Sequence, residues 1–598
     1  MAVYRSDQAQ LTFATEAAQG GDPELIEGTV SGVSAALTAD HSAGVRSITV
    51  DGVTGGTLVV GDFIRIGTVT AATTVAAHEV RRIEAMDEAG NNSTNTLHLD
   101  RPTAFYHAND QQVKECTAIG GDATRNDQGK MLTWIPGVYE TVDTPDPEMS
   151  IEGHRFLGTE SKRNWAAAYP GQQTLTGSVS GIVLLNGWPL RFPIGSVVTT
   201  PSVVTGTNTL TVDANKGDLY VTIDNSTDLA AGNFLNIDDG STTVSEVRRL
   251  ITNPASTLNN HIWKLNAPLQ FAHSSGVSVK KVHEDSTYTH SIKEKVDLDT
   301  VSWHVHMKDS SETTSRNFDR RYVGGMIGSS TIAAEEGGMV TMSWDSINFL
   351  NMVHNQQNQT TLGTNLYSGA SIAANMPRYG LMQPIDSDDV GPSAHGASGA
   401  PGANDGTGYP NTQPYYFSQG SIKFFGTEFA RIRSFSLSIS NGEEPRYYIG
   451  KQGARARGPY EIKEGPREYS MSASVVLPDA SLDANVAHAS ASQDGALELF
   501  RQLLLEGDYG GSTAAAARAG FTASIRFDKG VNDYIIFDIP SSTTPGTPIA
   551  GNNQINSQGI FINSAPHSIT TDNPFQVDLD MIFRGLQITI VDSEPVYP

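Results

Sequence analysis

Apolar and polar residues alternate with period two along most of this chain, in short runs separated by Gly, Asn and Asp. That period belongs to strands with one buried face. Ile48 and Val50, Ile64 and Ile66, Leu175, Gly177 and Val179, Leu219, Val221 and Ile223, Leu235 and Ile237, and Val301, Trp303, Val305 and Met307 all follow it. One segment has helical spacing: Asp494 as N-cap, Leu497, Phe500, Leu503 and Leu504 on one face, and Gly507 as stop predict a helix over 494–507. The expected fold is mainly β with one notable helix, which lends it an α+β flavour.

Self-comparison exposes an internal repeat. Gly61-Asp62-Phe63 returns as Gly232-Asn233-Phe234, Glu79-Val80-Arg81-Arg82 as Glu246-Val247-Arg248-Arg249, and Pro102 to His107 as Pro268 to His273, always in the same order. Each copy reads as a small β-domain of five or six strands. The two arginines of the repeated phrase should point to opposite faces of a strand and make strand-edge salt bridges.

The second copy interrupts a different style of sequence, found at 151–198 and 288–350, so it reads as an insertion into a loop of a larger β-domain. Residues 386–412 hold almost no large apolar side chains and read as a linker or surface loop. A third β-rich block follows.

Composition narrows the function. The chain has 598 residues, 65 acidic against 40 basic, and a net charge of -25, which disfavours holding nucleic acid phosphates. Its one cysteine, Cys116, excludes an intrachain disulfide and a thiolate-rich zinc site. No run of 18 apolar residues occurs and the start lacks an apolar core, so a soluble chain without secretion signal is expected.

Chemistry is sparse. Gly177-Ser178-Val179-Ser180-Gly181 imitates a nucleophile elbow, but Val179 stands where the nucleophile belongs. His304 and His306 share a strand face without a third ligand nearby, and Asp386, Asp388 and Asp389 lack the spacing of a calcium loop. Lys451, Arg455, Arg457 and Arg467 form a local basic patch suited to a phosphate or to an acidic surface of a neighbouring subunit. No phosphate-cradling or dinucleotide motif is present. No catalytic, cofactor or metal residue is therefore assigned, and an enzyme is the weakest reading.

The phrases RSFSLSISNGEEPRYYIG, PYEIKEGPREYSMSASVVL, FTASIRFDKGVNDYIIFDIP and NPFQVDLDMIFRG, with TYTHSIKEKVDLDTVSWHVHM and RRYVGGMIGSSTIAAEEGGMVTMSWD upstream, resemble the tail tube proteins of long-tailed viruses of bacteria and archaea. The resemblance covers roughly 150–200 and 284–598. It implies a β-barrel or sandwich whose long hairpins join neighbours into a ring, with stacked rings forming the conduit for the genome. GQQTLTGSVSGIVLL is similar to GPREYSMSASVVL, which suggests two tube-type domains per chain.

The expected organisation is an N-terminal arm with first tube strands at 1–44, a repeat module at 45–117, and a tube-type piece at 118–209. The inserted module at 210–284, the second piece at 285–385, a loop at 386–415 and a second tube-type domain at 416–598 complete it. Both modules are expected as external decorations. Expected partners are the chain itself, as a trimeric ring with pseudo-six-fold symmetry or a hexameric ring, and the tape measure, terminator and tip proteins. DNA would pass through a negative lumen, with no membrane insertion, in a virion tail made in the host cytoplasm. Contacts are expected from 436–470 and 386–412. The rival from another class is a tail-tip, fibre or adhesin protein that recognises a host receptor or glycan through the modules.

Overall fold

The computed structural model describes residues 4–16, 19, 29–42, 45–60, 62–67, 79–87, 94–99, 103, 106–118, 139–145, 148–154, 167–218, 220–224, 228–230, 232–252, 261–309, 318–356, 413–424, 427–428, 432–448, 458–476, 523–539, 560–564, 567–568 and 576–597. The helix expected at 494–507 and the loop at 386–412 lie outside them. Among the described residues the chain is mainly β, with one four-residue α-helix, Arg191–Ile194.

Two antiparallel sheets pack face to face. The large sheet runs Thr141–Asp143, Thr176–Val183, Thr341–Asn348, Phe318–Glu335, Ile432–Ser440, Glu468–Val476, Gln576–Phe583, Ile560–Ser564 in spatial order. The first half of the 18-residue strand Phe318–Glu335 bends away to pair with Val301–Asp309, which in turn pairs with Tyr4–Thr15. Gly324 makes the bend with φ +70, and a Cβ there would lie 2.6 Å from Leu350. The second sheet runs Gly195–Pro201, Tyr288–Glu294, Gln587–Asp592, Asp533–Ile539, Ala523–Gly530, Gly420–Phe424, Thr427–Glu428.

Alternation produces this sandwich directly. Phe435, Leu437 and Ile439, Met471, Ala473 and Val475, and Ile525 and Phe527 all point into one core. Phe13 meets Trp303 and Trp344 edge-on at 5.1 and 4.9 Å, which ties the first strand to both the bent branch and the main path of the large sheet. Burying each such side chain contributes about 1.5–3 kcal/mol.

The two repeats are copies of one barrel. In the first, Thr29–Leu37, Ser47–Thr54, Asn95–Leu99, Glu79–Met86, Phe63–Ile66 and Gln112–Ala118 close on themselves. In the second, Val204–Thr209, Tyr220–Ile223, His261–Leu265, Glu246–Thr252, Phe234–Ile237 and Ser278–Val282 keep the same order, with a Leu210–Ile223 bridge joining the ends. Each barrel takes its first strand from residues before the repeated phrases.

The Glu-Val-Arg-Arg strands correct one expectation, because they lie inside barrels rather than at an edge. Glu79 and Arg81 are fully buried as an ion pair, and Glu246 and Arg248 repeat it at 2.6 Å. Alternation sends the first Arg to the same face as the Glu, so a barrel encloses both.

The second barrel fills the turn of a hairpin. Gly195–Pro201 pairs with Tyr288–Glu294 along its length, and Pro201 lies opposite Tyr288 where the barrel leaves and returns. Asp299, buried, holds Arg191 at 2.6 Å, Lys295 at 2.8 Å and Lys216 of the barrel at 3.0 Å. Val247 and Val282 of the barrel pack with Tyr288 and Val596.

Candidate functional site

The outward face of the large sheet is made almost wholly of hydroxyls and carboxylates. Ser434, Ser436, Ser438 and Ser440 alternate with the buried Phe435, Leu437 and Ile439, and Ser470, Ser472 and Ser474 alternate with Met471, Ala473 and Val475. Register lines these residues into rungs across strands. Ser343, Thr331, Ser438, Ser470 and the exposed Ile582 make one; Thr341, Ala333, Ser436, Ser472 and Asp580 the next; Glu335, Ser434, Ser474 and Asp578 a third. Thr331 Oγ1 donates to Asp345 Oδ2 at 2.7 Å, so neighbouring strands hold each other's polar groups in place.

Acidic residues predominate among the described outward charges along these strands: Asp143, Glu335, Asp345, Glu468, Asp578 and Asp580. Arg433 and Arg584 stand at strand ends, and Arg433 pairs with Glu336 at 3.2 Å. Where Glu335, Met339, Thr341, Ser436, Ser472 and Asp578 meet, the face forms a hollow of about 510 Å³. Such a surface stays hydrated and, with acid in excess, repels a polyanion at short range.

Two features reach outward. The sheet's terminal strands along this path, Thr141–Asp143 and Ile560–Ser564, are short edges. The hairpin Glu148–His154 with Ala167–Thr174 forms a separate two-stranded sheet that carries Ile151 at 65% and Tyr169 at 53% exposure. Tyr447 Oη donates to the Gln173 carbonyl at 3.2 Å, which ties this pair of strands to the rest of the chain.

The sequence candidates scatter. Val179 is buried in Thr176–Val183, while Ser178 Oγ donates to Asp143 Oδ2 at 3.2 Å as an ordinary cross-strand pair. His304 and His306 lie on Val301–Asp309 opposite Thr12 and Gln10. Among the described residues, no group of three His, Cys, Asp or Glu could hold a metal. Asp386, Asp388, Asp389, Lys451, Arg455 and Arg457 lie outside the described residues.

Arg467 departs from the expected patch, since it donates to Asn441 Oδ1 at 2.8 Å and to the Lys295 carbonyl at 3.2 Å within its own chain. Within 436–470, the segments of Ile432–Ser440 and Glu468–Val476 are interior strands of the large sheet. Cys116 is buried, and burial pushes its thiol up to about 11, which makes it a poor nucleophile.

One constellation was not anticipated. Thr199 Oγ1 lies 2.9 Å from His290 Nδ1, and His290 Nε2 lies 3.2 Å from Asp592 Oδ1, a row that imitates a nucleophile, base and acid. All three are buried and Tyr597 stacks on the imidazole at 3.7 Å, so the row is closed to substrate. It anchors the Glu594–Tyr597 segment, since His290 also meets the Glu594 carbonyl at 2.9 Å.

Sequence reasoning does not locate the carboxylates of this outward face. Their signal was the Ser-x-Ser-x-Ser alternation at 434–440 and 470–474, which marks one polar strand face.

Two antiparallel sheets packed over one core, with a polar outward face, make this a β-sandwich protein. The phage tail tube protein family model matches residues 161–556, well over half of the chain, and the chain belongs to that family. It is a structural component of a virion tail. No curated protein matches it. The family match gives the tail-tip or adhesin alternative no support.

Proposed function

We propose that three copies of this chain close into a ring whose inner wall is the hydroxyl and carboxylate face, and that rings stack head to tail into the genome conduit. The observation that carries this reading is the predominantly acidic, hydroxyl-rich face on an eight-strand path. Three chains of eight strands give 24. At strand spacings of about 4.8 Å and tilts of about 40° a 24-strand barrel is roughly 50 Å across, wide enough for a hydrated duplex. Six whole chains would double that width.

Strand order supports two tube-type units per chain. In each half of the large sheet the strands appear in space as first, second, fourth and third of their chain order: Thr141–Asp143, Thr176–Val183, Thr341–Asn348, Phe318–Glu335, then Ile432–Ser440, Glu468–Val476, Gln576–Phe583, Ile560–Ser564. Each half also places one hairpin of the second sheet between its second and third strands in chain order, Gly195–Pro201 with Tyr288–Glu294 and Ala523–Gly530 with Asp533–Ile539. The second barrel fills the turn of the first hairpin, where the other has only a tight turn.

Ring closure joins the Thr141–Asp143 edge of one copy to the Ile560–Ser564 edge of the next, a heterologous contact that removes both open edges. The Glu148–His154 hairpin arm reaches a neighbour. The barrels stand outside the wall, and the tube meets tape measure, terminator and tip proteins at its ends and in its lumen. The subunit is made in the host cytoplasm. No catalytic step enters this role. Negative-stain microscopy of the purified chain at high concentration tests it: hollow stacked tubes are expected, and discrete particles that never stack would overturn it.

A further inference from the structure

Three cations converge on Asp299 at the seam between the second barrel and the sandwich. Lys216 Nζ and Lys295 Nζ both contact its Oδ1, at 3.0 and 2.8 Å, while Arg191 Nη2 takes Oδ2 at 2.6 Å. Two ammonium groups on a single oxygen stand side by side, within hydrogen-bonding reach of each other. Arg191 also feels the charge of Arg248, whose carboxylate partner Glu246 is shared with His273. The seam therefore carries more positive than negative charge, in a chain whose net charge is -25.

Barrel closure does not require this excess. Ala214-Asn215-Lys216-Gly217 occupies the place of His41-Ser42-Ala43-Gly44 in the repeat, so the first barrel closes with alanine where the second has Lys216. Arg191 is buried, and its Nε and Nη1 have no hydrogen-bond partner among the described residues. Buried donors on a charged group are costly unless something accepts from them. Burial pushes the Lys295 ammonium below its ordinary value, and Lys216 adds to that against the pull of Asp299. The seam opens on the lysine side: the Lys216 side chain is 44% exposed and that of Lys295 21%, against 6% for Asp299.

We propose that Lys216, Lys295 and Arg191 form a binding site for a small tetrahedral oxyanion of the inorganic phosphate class. An ammonium group has three donors, and the contact with Asp299 takes one from each lysine, which leaves others for a shared anion. An oxyanion lying across the two ammonium groups offsets their mutual repulsion with charge-assisted hydrogen bonds, and the guanidinium behind Asp299 adds to the attraction. Lys216 belongs to the barrel and Lys295 to the sandwich, so the bound anion staples one to the other. The site is independent of the ring symmetry proposed above, since one chain contains all of it.

The test is a titration of the full chain with sodium phosphate at constant ionic strength, balanced by sodium chloride, and read by phosphorus NMR line broadening and by hydrogen exchange. Saturable broadening is expected, with slower exchange in the connectors at 202–203 and 283–287. Lys216→Ala should weaken phosphate binding about tenfold or more. Exchange within 204–282 in chloride alone should match wild type in that variant, because the first barrel already folds with alanine there. Lys295→Met, which leaves the barrel sequence untouched, should weaken binding in the same way. No broadening with wild type, connector protection equal in phosphate and in chloride, or binding unchanged in both variants would overturn the proposal.

Discussion

His107 Nε2 lies 2.6 Å from Glu79 Oε1 in the sealed interior of the first barrel, and His273 lies 2.8 Å from Glu246 in the second. Two phrases far apart in each repeat, the Glu-Val-Arg-Arg strand and the Pro-to-His segment, thus meet as one buried Glu, Arg and His cluster. Arg248 also donates to the Pro268 carbonyl at 2.8 Å, which binds the end of one phrase to the other.

Removing one member of such a cluster leaves buried charge without its partner. Glu246→Ala should destabilise the second barrel by about 3–5 kcal/mol, read by hydrogen exchange within 204–282. Burial pushes the Glu246 carboxyl up, but Arg248 and His273 outweigh it and hold the carboxyl below its ordinary value of 4.5. A depressed folded-state value contributes stability above about pH 4.5 that is lost as pH falls further. Wild type should lose barrel protection in acid, and Glu246→Gln should show a weaker acid dependence on top of its lower stability.

Glu443 has the opposite sign. Burial pushes its carboxyl up to about 8, while its Oε1 accepts from Asn348 Nδ2 at 2.7 Å. The neutral form is the one the fold prefers, so the contribution is complete below about pH 4.5 and fades as pH rises through 8. Glu443→Gln should match wild type in thermal unfolding at pH 5 and exceed it at pH 9. Equal curves at both values would contradict the assignment.

The junction of the second barrel rests on Asp299. Burial pushes its carboxyl up, yet Arg191, Lys295 and Lys216 together hold it well below the usual range. Asp299→Ala leaves Arg191 buried without this carboxylate and should cost about 3–5 kcal/mol. Limited proteolysis should then cut the connectors at 202–203 and 283–287 faster than in wild type.

The polar face predicts behaviour toward DNA. Assembled wild-type tubes should not retain duplex DNA in co-sedimentation. Replacing Asp345, Asp578 and Asp580 together with Lys should make tubes of unchanged diameter that hold DNA at low salt and release it as salt rises. Retention by wild type would place that face elsewhere than the lumen.

Much of this architecture is legible in the sequence because period-two alternation reports a buried strand face whatever the partner strand is. The repeat was legible for the same reason: Phe234, Glu246 and His273 keep their order. What was not legible depends on closure. Whether Glu79 and Arg81 meet water or a barrel interior is decided by strands up to 50 residues away in sequence. Ser436 and Ser472 become a rung only through register. The Thr199, His290 and Asp592 row joins positions about 300 residues apart, and no local spacing announces it.

The central claim is that three chains close the wall edge to edge, and cross-linking reads it most directly. Cys116 is buried and its thiol value is raised, so it gives little background. Thr141→Cys and Asn563→Cys, placed in one chain at the two exposed edges, should be joined between neighbours by a short bis-maleimide in assembled tubes. The account predicts a denaturing-gel ladder of one, two and three chains that ends at three. A ladder ending at six, or no cross-link between these edges in intact tubes, would contradict it.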